Sequence, residues 1–180
     1  MYGIVENSLK DLVISLEGEE GWQAIVMKAG TVAEFNDNQR YEDVDTFNLV
    51  AAVCEKLNID SEEYLEVFGV HWISKTTSET HGGLMNVTGK NFREFVGNVN
   101  LLHDRLSTAY PGYIAPRVEI SDQGEYMEIR YISLRKGMSA FVKGILKGLA
   151  VRFSENIAFI KQVDESTDEL ECTLFLISVE

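Results

Sequence analysis

A change of hydrophobic period partway along the chain constrains its fold more than any other feature. Up to Tyr110 the apolar residues recur at helical spacing, and beyond Pro116 they alternate. Ile4, Val5, Leu9, Leu12, Val13 and Leu16 share one face of a helix over 4–16. Gly18 and Gly21 break it before a short helix over 22–29, and the polar, acidic stretch 31–45 reads as a loop. Phe47, Val50, Val53, Cys54 and Leu57 mark a helix over 46–57. Asp60-Ser61-Glu62-Glu63 has capping-box spacing and opens another helix, striped by Tyr64, Leu65, Phe68 and Trp72. The glycine-bearing stretch 78–89 ends it. Phe92, Phe95, Val96, Val99, His103, Leu106 and Tyr110 predict one long helix over 92–110, stopped by Pro111. Strands over 117–121 and 125–134 flank an Asp122-Gln123-Gly124 turn. A helix over 139–153 and a closing hairpin, 156–163 with 171–179, follow. Helices first, then strand pairs around a helix, give an α+β fold with a four-stranded antiparallel sheet. The expected division is a helical lobe, about 1–60, and a sheet lobe with its own helices, about 61–180.

The 180 residues hold 16 Lys+Arg against 29 Asp+Glu, a net charge of −13. That balance argues against a protein that lives on nucleic acid or anionic lipid. A hydrophobic fraction of 45% excludes disorder. No apolar run approaches the ~18–20 residues of a membrane span, and the first residues lack a secretory signal. Cys54 and Cys172 flank no metal-binding spacing. Neither a disulfide framework nor a cysteine-rich zinc site is expected, and the reducing cytoplasm is the expected compartment. No GxSxG, Walker A, GxGxxG or HExxH motif occurs.

Two places could carry chemistry. His103 falls on the apolar face of the longest expected helix, where a buried imidazole needs partners for two ring nitrogens. It reads either as a core histidine bonded to a carbonyl or as an axial ligand to a metal cofactor. Neighbours at i+3 and i+4 supply no second ligand on that face, so a multidentate zinc site is disfavoured, whereas heme needs one protein ligand. Tyr131-Ile132-Ser133-Leu134-Arg135 ends a strand, where alternation puts Tyr131 and Ser133 on one face and Arg135 extends the line. Two hydroxyls and a guanidinium suit a carboxylate. Alone, the pattern reads equally as an edge strand with a solvated arginine.

The Met1-Tyr2-Gly3-Ile4-Val5 start, Leu102-His103-Asp104, the Tyr110-Pro111-Gly112 and Ala115-Pro116 turns, and Tyr131-x-Ser133-x-Arg135 together resemble the H-NOX family. These are heme-nitric oxide/oxygen binding domains related to the heme domain of soluble guanylate cyclase. The resemblance covers the whole chain. It implies heme b between the lobes, with His103 as the iron ligand, Tyr131, Ser133 and Arg135 on the propionates, and Pro116 against the porphyrin. Ile4, Val5, Leu9, Trp72, Ala140 and Ile145 would complete the cofactor site. Oxygen-binding members carry a tyrosine five residues beyond the arginine of the triplet, and here that position is Ala140. Some relatives hold a zinc site near the C-terminus, but only Cys172 is available here, so none is expected.

The resemblance thus implies a non-enzymatic sensor of nitric oxide, binding CO as well, at ferrous heme. A change at the His103 bond would shift the lobes and be read by a separate effector, such as a histidine kinase or a cyclic-di-GMP enzyme. A stand-alone bacterial form is expected. The alternatives are an oxygen-binding heme sensor, a heme enzyme with His71 as its acid–base residue, and a heme-free interaction domain. His81 and the acidic turn over 164–171 read as solvated.

Overall fold

The computed structural model describes residues 1–77 and 82–179. Helix α1 (Gly3–Ala29) is bent at Gly18, whose φ of 71° and ψ of −179° only glycine adopts without strain. Helix α2 (Asp43–Leu57) starts earlier than the sequence pattern suggested. Asp43 and Asp45 sit in its first turn, where carboxylates complement the helix dipole. Helix α3 (Ser61–His71) is capped by Asp60, whose Oδ1 accepts the Glu62 N–H at 2.7 Å. Leu9, Trp22 and Ile25, Leu49 and Val53, and Tyr64 and Phe68 bury one face of each helix in a first core. This core extends to Phe68, past the boundary expected near residue 60.

A π-helical turn, Trp72–Thr76, continues α3. Residues 78–81 lie outside the described part, and His81 with them. The rest of the stretch expected only to end a helix forms one of its own, α4 (Gly82–Thr88). The single helix expected over 92–110 is two: α5 (Phe92–Gly97) and α6 (Val99–Ala109). Asn98 divides them, with φ −102° and ψ 5°, and its Nδ2 donates to the Thr88 carbonyl at 2.8 Å. A side-chain amide that bonds elsewhere on the backbone competes with helix continuation. Apolar periodicity runs through such a break unchanged, so the sequence pattern does not reveal it.

Strands β1 (Arg117–Asp122), β2 (Tyr126–Ser133), β3 (Ile157–Asp164) and β4 (Glu171–Val179) form one antiparallel sheet in the order β1-β2-β4-β3. Met127, Ile129, Tyr131 and Ser133 of β2 alternate inward, opposite Ile177, Phe175, Thr173 and Glu171 of β4. Helix α7 (Ser139–Phe153) lies between β2 and β3 in the chain. Buried Glu171 fixes its start by accepting the Met138 and Ser139 N–H groups at 3.0 and 2.7 Å. The second core joins the inner sheet face to Phe92 and Phe95 of α5 and Leu146 and Leu149 of α7.

Helices α3 and α7 cross at glycines. A Cβ on Gly144 would overlap the Glu66 carbonyl, and one on Gly69 would overlap the Phe141 carbonyl. Lys143 and Lys147 close the crossing from outside through ion pairs with Glu66. Burial alone would raise the Glu66 pKa, but the two lysines outweigh it and lower it.

Candidate functional site

A cavity of about 310 Å³ opens between the start of α1, the π turn, helices α5 to α7, and strands β1 and β2. That volume is in the range of small-molecule sites. Helix α7 and its N-cap residue present Met138, Phe141, Val142, Ile145, Leu146 and Leu149 to it, Met138 being the cap. Their steps of 3, 1, 3, 1 and 3 describe one helical stripe. Val96, Val99, Leu102 and Leu106 of α5 and α6 line another side, and Ile4, Val5, Trp72, Ile73 and Pro116 also contribute. The π turn admits one extra residue, which brings Trp72, Ile73 and Thr77 to the cavity together.

His103 of α6 enters this apolar enclosure. Burial lowers its pKa, only partly opposed by the Pro116 backbone and Asp104, so the ring is held neutral. Its Nδ1 is sealed from solvent with no hydrogen-bond partner of good geometry. Tyr113 meets it edge-on, with ring centroids 6.3 Å apart. A neutral, incompletely satisfied imidazole in an apolar wall suits a metal-centred ligand that takes one ring nitrogen.

Tyr131, Ser133 and Arg135 line the same cavity. Burial pushes the Tyr131 phenol up to about 12, despite its hydrogen bond with Ser133, so it remains a donor. Ser133 Oγ accepts the Arg135 N–H at 3.0 Å. The guanidinium is already engaged: Nε donates to Asp43 Oδ2 at 2.8 Å and Nη1 to the Ile114 carbonyl at 2.9 Å. Arg135 therefore ties the strand end to α2 as well as facing the cavity. Asp43 also accepts from the Met1 ammonium at 2.7 Å. Burial works to raise the Asp43 pKa, and the ammonium and Arg135 lower it below the usual carboxylate range. Its stabilisation is thus present above that ordinary range and lost as pH falls through the lowered value. Arg135→Ala is expected to cost about 1–2 kcal/mol, allowing for partial exposure. Urea unfolding at neutral pH and at about pH 3 should also show a flatter acid-side loss. An unchanged acid limb would assign the Asp43 shift to Met1 alone.

Nine of the residues expected at the site line the cavity: Ile4, Val5, Trp72, His103, Pro116, Tyr131, Ser133, Arg135 and Ile145. Leu9 and Ala140 do not. Leu9 is fully buried in the first core, and Ala140 packs against that core. The count of five from Arg135 crosses Gly137, at φ 79°, before α7 begins. In helical register residue 140 then points about 100° away from its neighbour, and Phe141 faces the cavity instead. His71 is not among the lining residues. Sequence reasoning also missed Tyr2, Arg40, Thr77 and Tyr113. Tyr113 sits between the two quoted turns, which is its only local signal; Arg40 lies in a stretch with none.

Residues 2–161 match the family described as haem-NO-binding. The chain belongs to that family. Among curated relatives of this haem-NO-binding domain is the soluble guanylate cyclase gcy-32 of Caenorhabditis elegans, 26% identical over 169 residues. The alignment covers 90% of this chain and 25% of that protein. The rat guanylate cyclase soluble subunit beta-2 is 28% identical over 123 residues, covering 64% of the chain and 18% of the relative. The chain thus spans about a quarter or less of these proteins. An H-NOX protein from S. oneidensis in the Fe(II)NO state has the same fold, with a TM-score of 0.85 at 20% identity. That match covers 100% of this chain and 99% of the other. An unliganded Fe(II) H-NOX variant from K. algicida superposes with a TM-score of 0.87 at 19% identity, covering 100% and 97%. Among the described residues of this haem-NO-binding domain no helix is long and apolar enough to cross a membrane.

Proposed function

We propose that the domain is a non-catalytic gas sensor that holds ferrous heme in this cavity and selects nitric oxide and CO over oxygen. The observation that carries the reading is one neutral imidazole, His103, in an apolar enclosure that also receives Tyr131, Ser133 and Arg135. His103 would hold the iron. The tyrosine, serine and arginine would orient the two carboxylates through charge-assisted hydrogen bonds. Pro116, Ile145 and the apolar stripe of α7 keep water out. Heme supplies an iron centre for diatomic ligands, which no side chain of this chain provides.

Selectivity follows from what the wall can donate. Retaining O2 at ferrous heme calls for a hydrogen-bond donor, whereas nitric oxide binds strongly without one. Phe141 carries no polar atom. The Thr77 hydroxyl already donates to the Ile73 carbonyl at 3.1 Å. The Ser139 hydroxyl, next to residue 140, is bonded to Thr173 at 2.6 Å, and Ser74 is exposed. Trp72 also lines this wall, its ring held edge-on by Phe68 and Phe141, and the proposed selectivity requires that its Nε1 not reach the bound gas.

The test is the visible spectrum of the ferrous protein under nitrogen, CO, nitric oxide and air. The spectrum is expected to shift with CO and nitric oxide and to stay unliganded in air until the iron oxidises. A stable new ferrous spectrum in air would overturn the selectivity and favour the oxygen-binding reading, with Trp72→Phe expected to abolish it. Phe141→Tyr is expected to raise oxygen affinity about 5- to 150-fold, the worth of one buried donor at roughly 1–3 kcal/mol. A separate effector protein would read the state of α6 and the lobes. The exclusively gas-binding role fails if the purified protein turns over peroxide.

A further inference from the structure

The motif at the end of β2 supplies one guanidinium, and that one is shared with Asp43. A second guanidinium reaches the cavity from a different part of the chain. Arg40 lies in the loop before α2, and its backbone forms an isolated antiparallel bridge with Tyr2. Three further bonds hold this loop against the N-terminus: Gly3 N–H to Gln39 O at 2.9 Å, Tyr41 N–H to Met1 O at 2.7 Å, and the Met1 ammonium to Tyr41 O at 2.6 Å. Arg40 is therefore positioned by backbone contacts that do not involve its side chain. Its guanidinium extends across Gly112, where Nη1 would lie 3.5 Å from an added Cβ. It lines the cavity beside Tyr2, Gly112 and Tyr113.

Among the described residues the Arg40 side chain makes no ion pair and no hydrogen bond. Arg135 and the Met1 ammonium are both paired with Asp43, whereas Arg40 has no carboxylate partner among the described residues. Asp37 and Glu42 of the same loop are exposed, and buried Glu6, close to Asp43 and the Met1 ammonium, has its pKa raised by burial. An apolar cavity lined by two arginines, one of them free of ion pairs, fits a flat apolar ligand carrying two carboxylates.

We infer that Arg40 is a second carboxylate-binding residue, taking the porphyrin propionate that Arg135 does not. The inference rests on the heme reading of the cavity. Arg135, with two of its nitrogens committed to Asp43 and Ile114, serves one carboxylate; Arg40 serves the other from the opposite arm of the N-terminal clasp. The Tyr131-x-Ser133-x-Arg135 triplet does not include it, because Arg40 reaches the site through loop placement and not through a strand.

The test compares heme with its dimethyl ester, in which both carboxylates are uncharged, titrated into the heme-free chain and followed by absorbance. Arg40→Ala is expected to weaken heme binding about two- to fivefold, the range for a solvent-exposed ion pair, and to leave the ester unaffected. Arg40→Lys is expected to restore most of the loss. Equal weakening of both porphyrins would give Arg40 a merely structural role and overturn the inference. So would identical heme binding by Arg40→Ala and the unmodified chain. If the unmodified chain takes up neither porphyrin, the heme reading itself fails, and the Arg40 assignment with it.

Discussion

His103→Gly is expected to leave a folded chain that loses its heme on gel filtration and regains it when imidazole is added. The expectation follows from the single imidazole in an otherwise apolar wall. Removing the ring would delete the proposed iron ligand and leave a ring-sized space beside Leu106 and Tyr113 that free imidazole can fill. Glycine within α6 costs roughly 1 kcal/mol of helix propensity, which a chain with two separate cores tolerates. Absorbance in the Soret band relative to protein absorbance is the measurement, with circular dichroism as the control for folding. Full heme occupancy without imidazole would mean that another group holds the iron. His71 would be the first to examine, although it does not line the cavity.

Gly144→Ala is expected to destabilise the chain by about 3 kcal/mol, at the upper end of overpacking costs. The new methyl would meet the Glu66 carbonyl, part of the α3 backbone, so no side-chain rotation relieves it. The helices must separate, which also loosens Phe141 and Ile145 at the cavity wall. For a chain of this length such a loss lowers the melting temperature by roughly 6–12 °C. Thermal unfolding followed by circular dichroism reads it directly. Gly82→Ala is the control, since nothing lies within 4 Å of an added Cβ there. A Gly144→Ala melting temperature equal to that of the control would show that the helices separate at no cost.

The period change near Pro116 was enough to read the α+β class and the four strands, because alternation and helical stripes are both properties of local sequence. That His103 and the Tyr131, Ser133 and Arg135 group stand out from their elements was legible for a similar reason, and they line one cavity. Each departs from the pattern of its own element, a polar residue on an apolar face or a donor series at a strand end. What stayed hidden depends on contacts between distant segments. The Asn98 break is set by the Thr88 carbonyl, and the place of Phe141 is set by the left-handed Gly137 and by Glu171 at the start of α7. Arg40 is placed by pairing between the N-terminus and a loop. None of these leaves a periodic trace.

The division of the long helix at Asn98 has a mechanical meaning. Helix α5 is anchored by Phe92, Phe95 and Val96, all fully or nearly fully buried, whereas α6 fully buries only Leu102. One end of α6 is the Asn98 corner, and the other is the turn at Pro111 and Gly112, where φ reaches 80°. At about 25 cal/mol per Å² of apolar surface, swinging such a segment exposes little and costs little. The histidine therefore rides on a lever with two pivots and a light load, while the helix before it stays fixed in the core. A pull on the ring would be taken up as rotation of that lever, resisted by the reciprocal Asn100–Val118 hydrogen bonds that tie α6 to β1 at 2.7 and 3.1 Å.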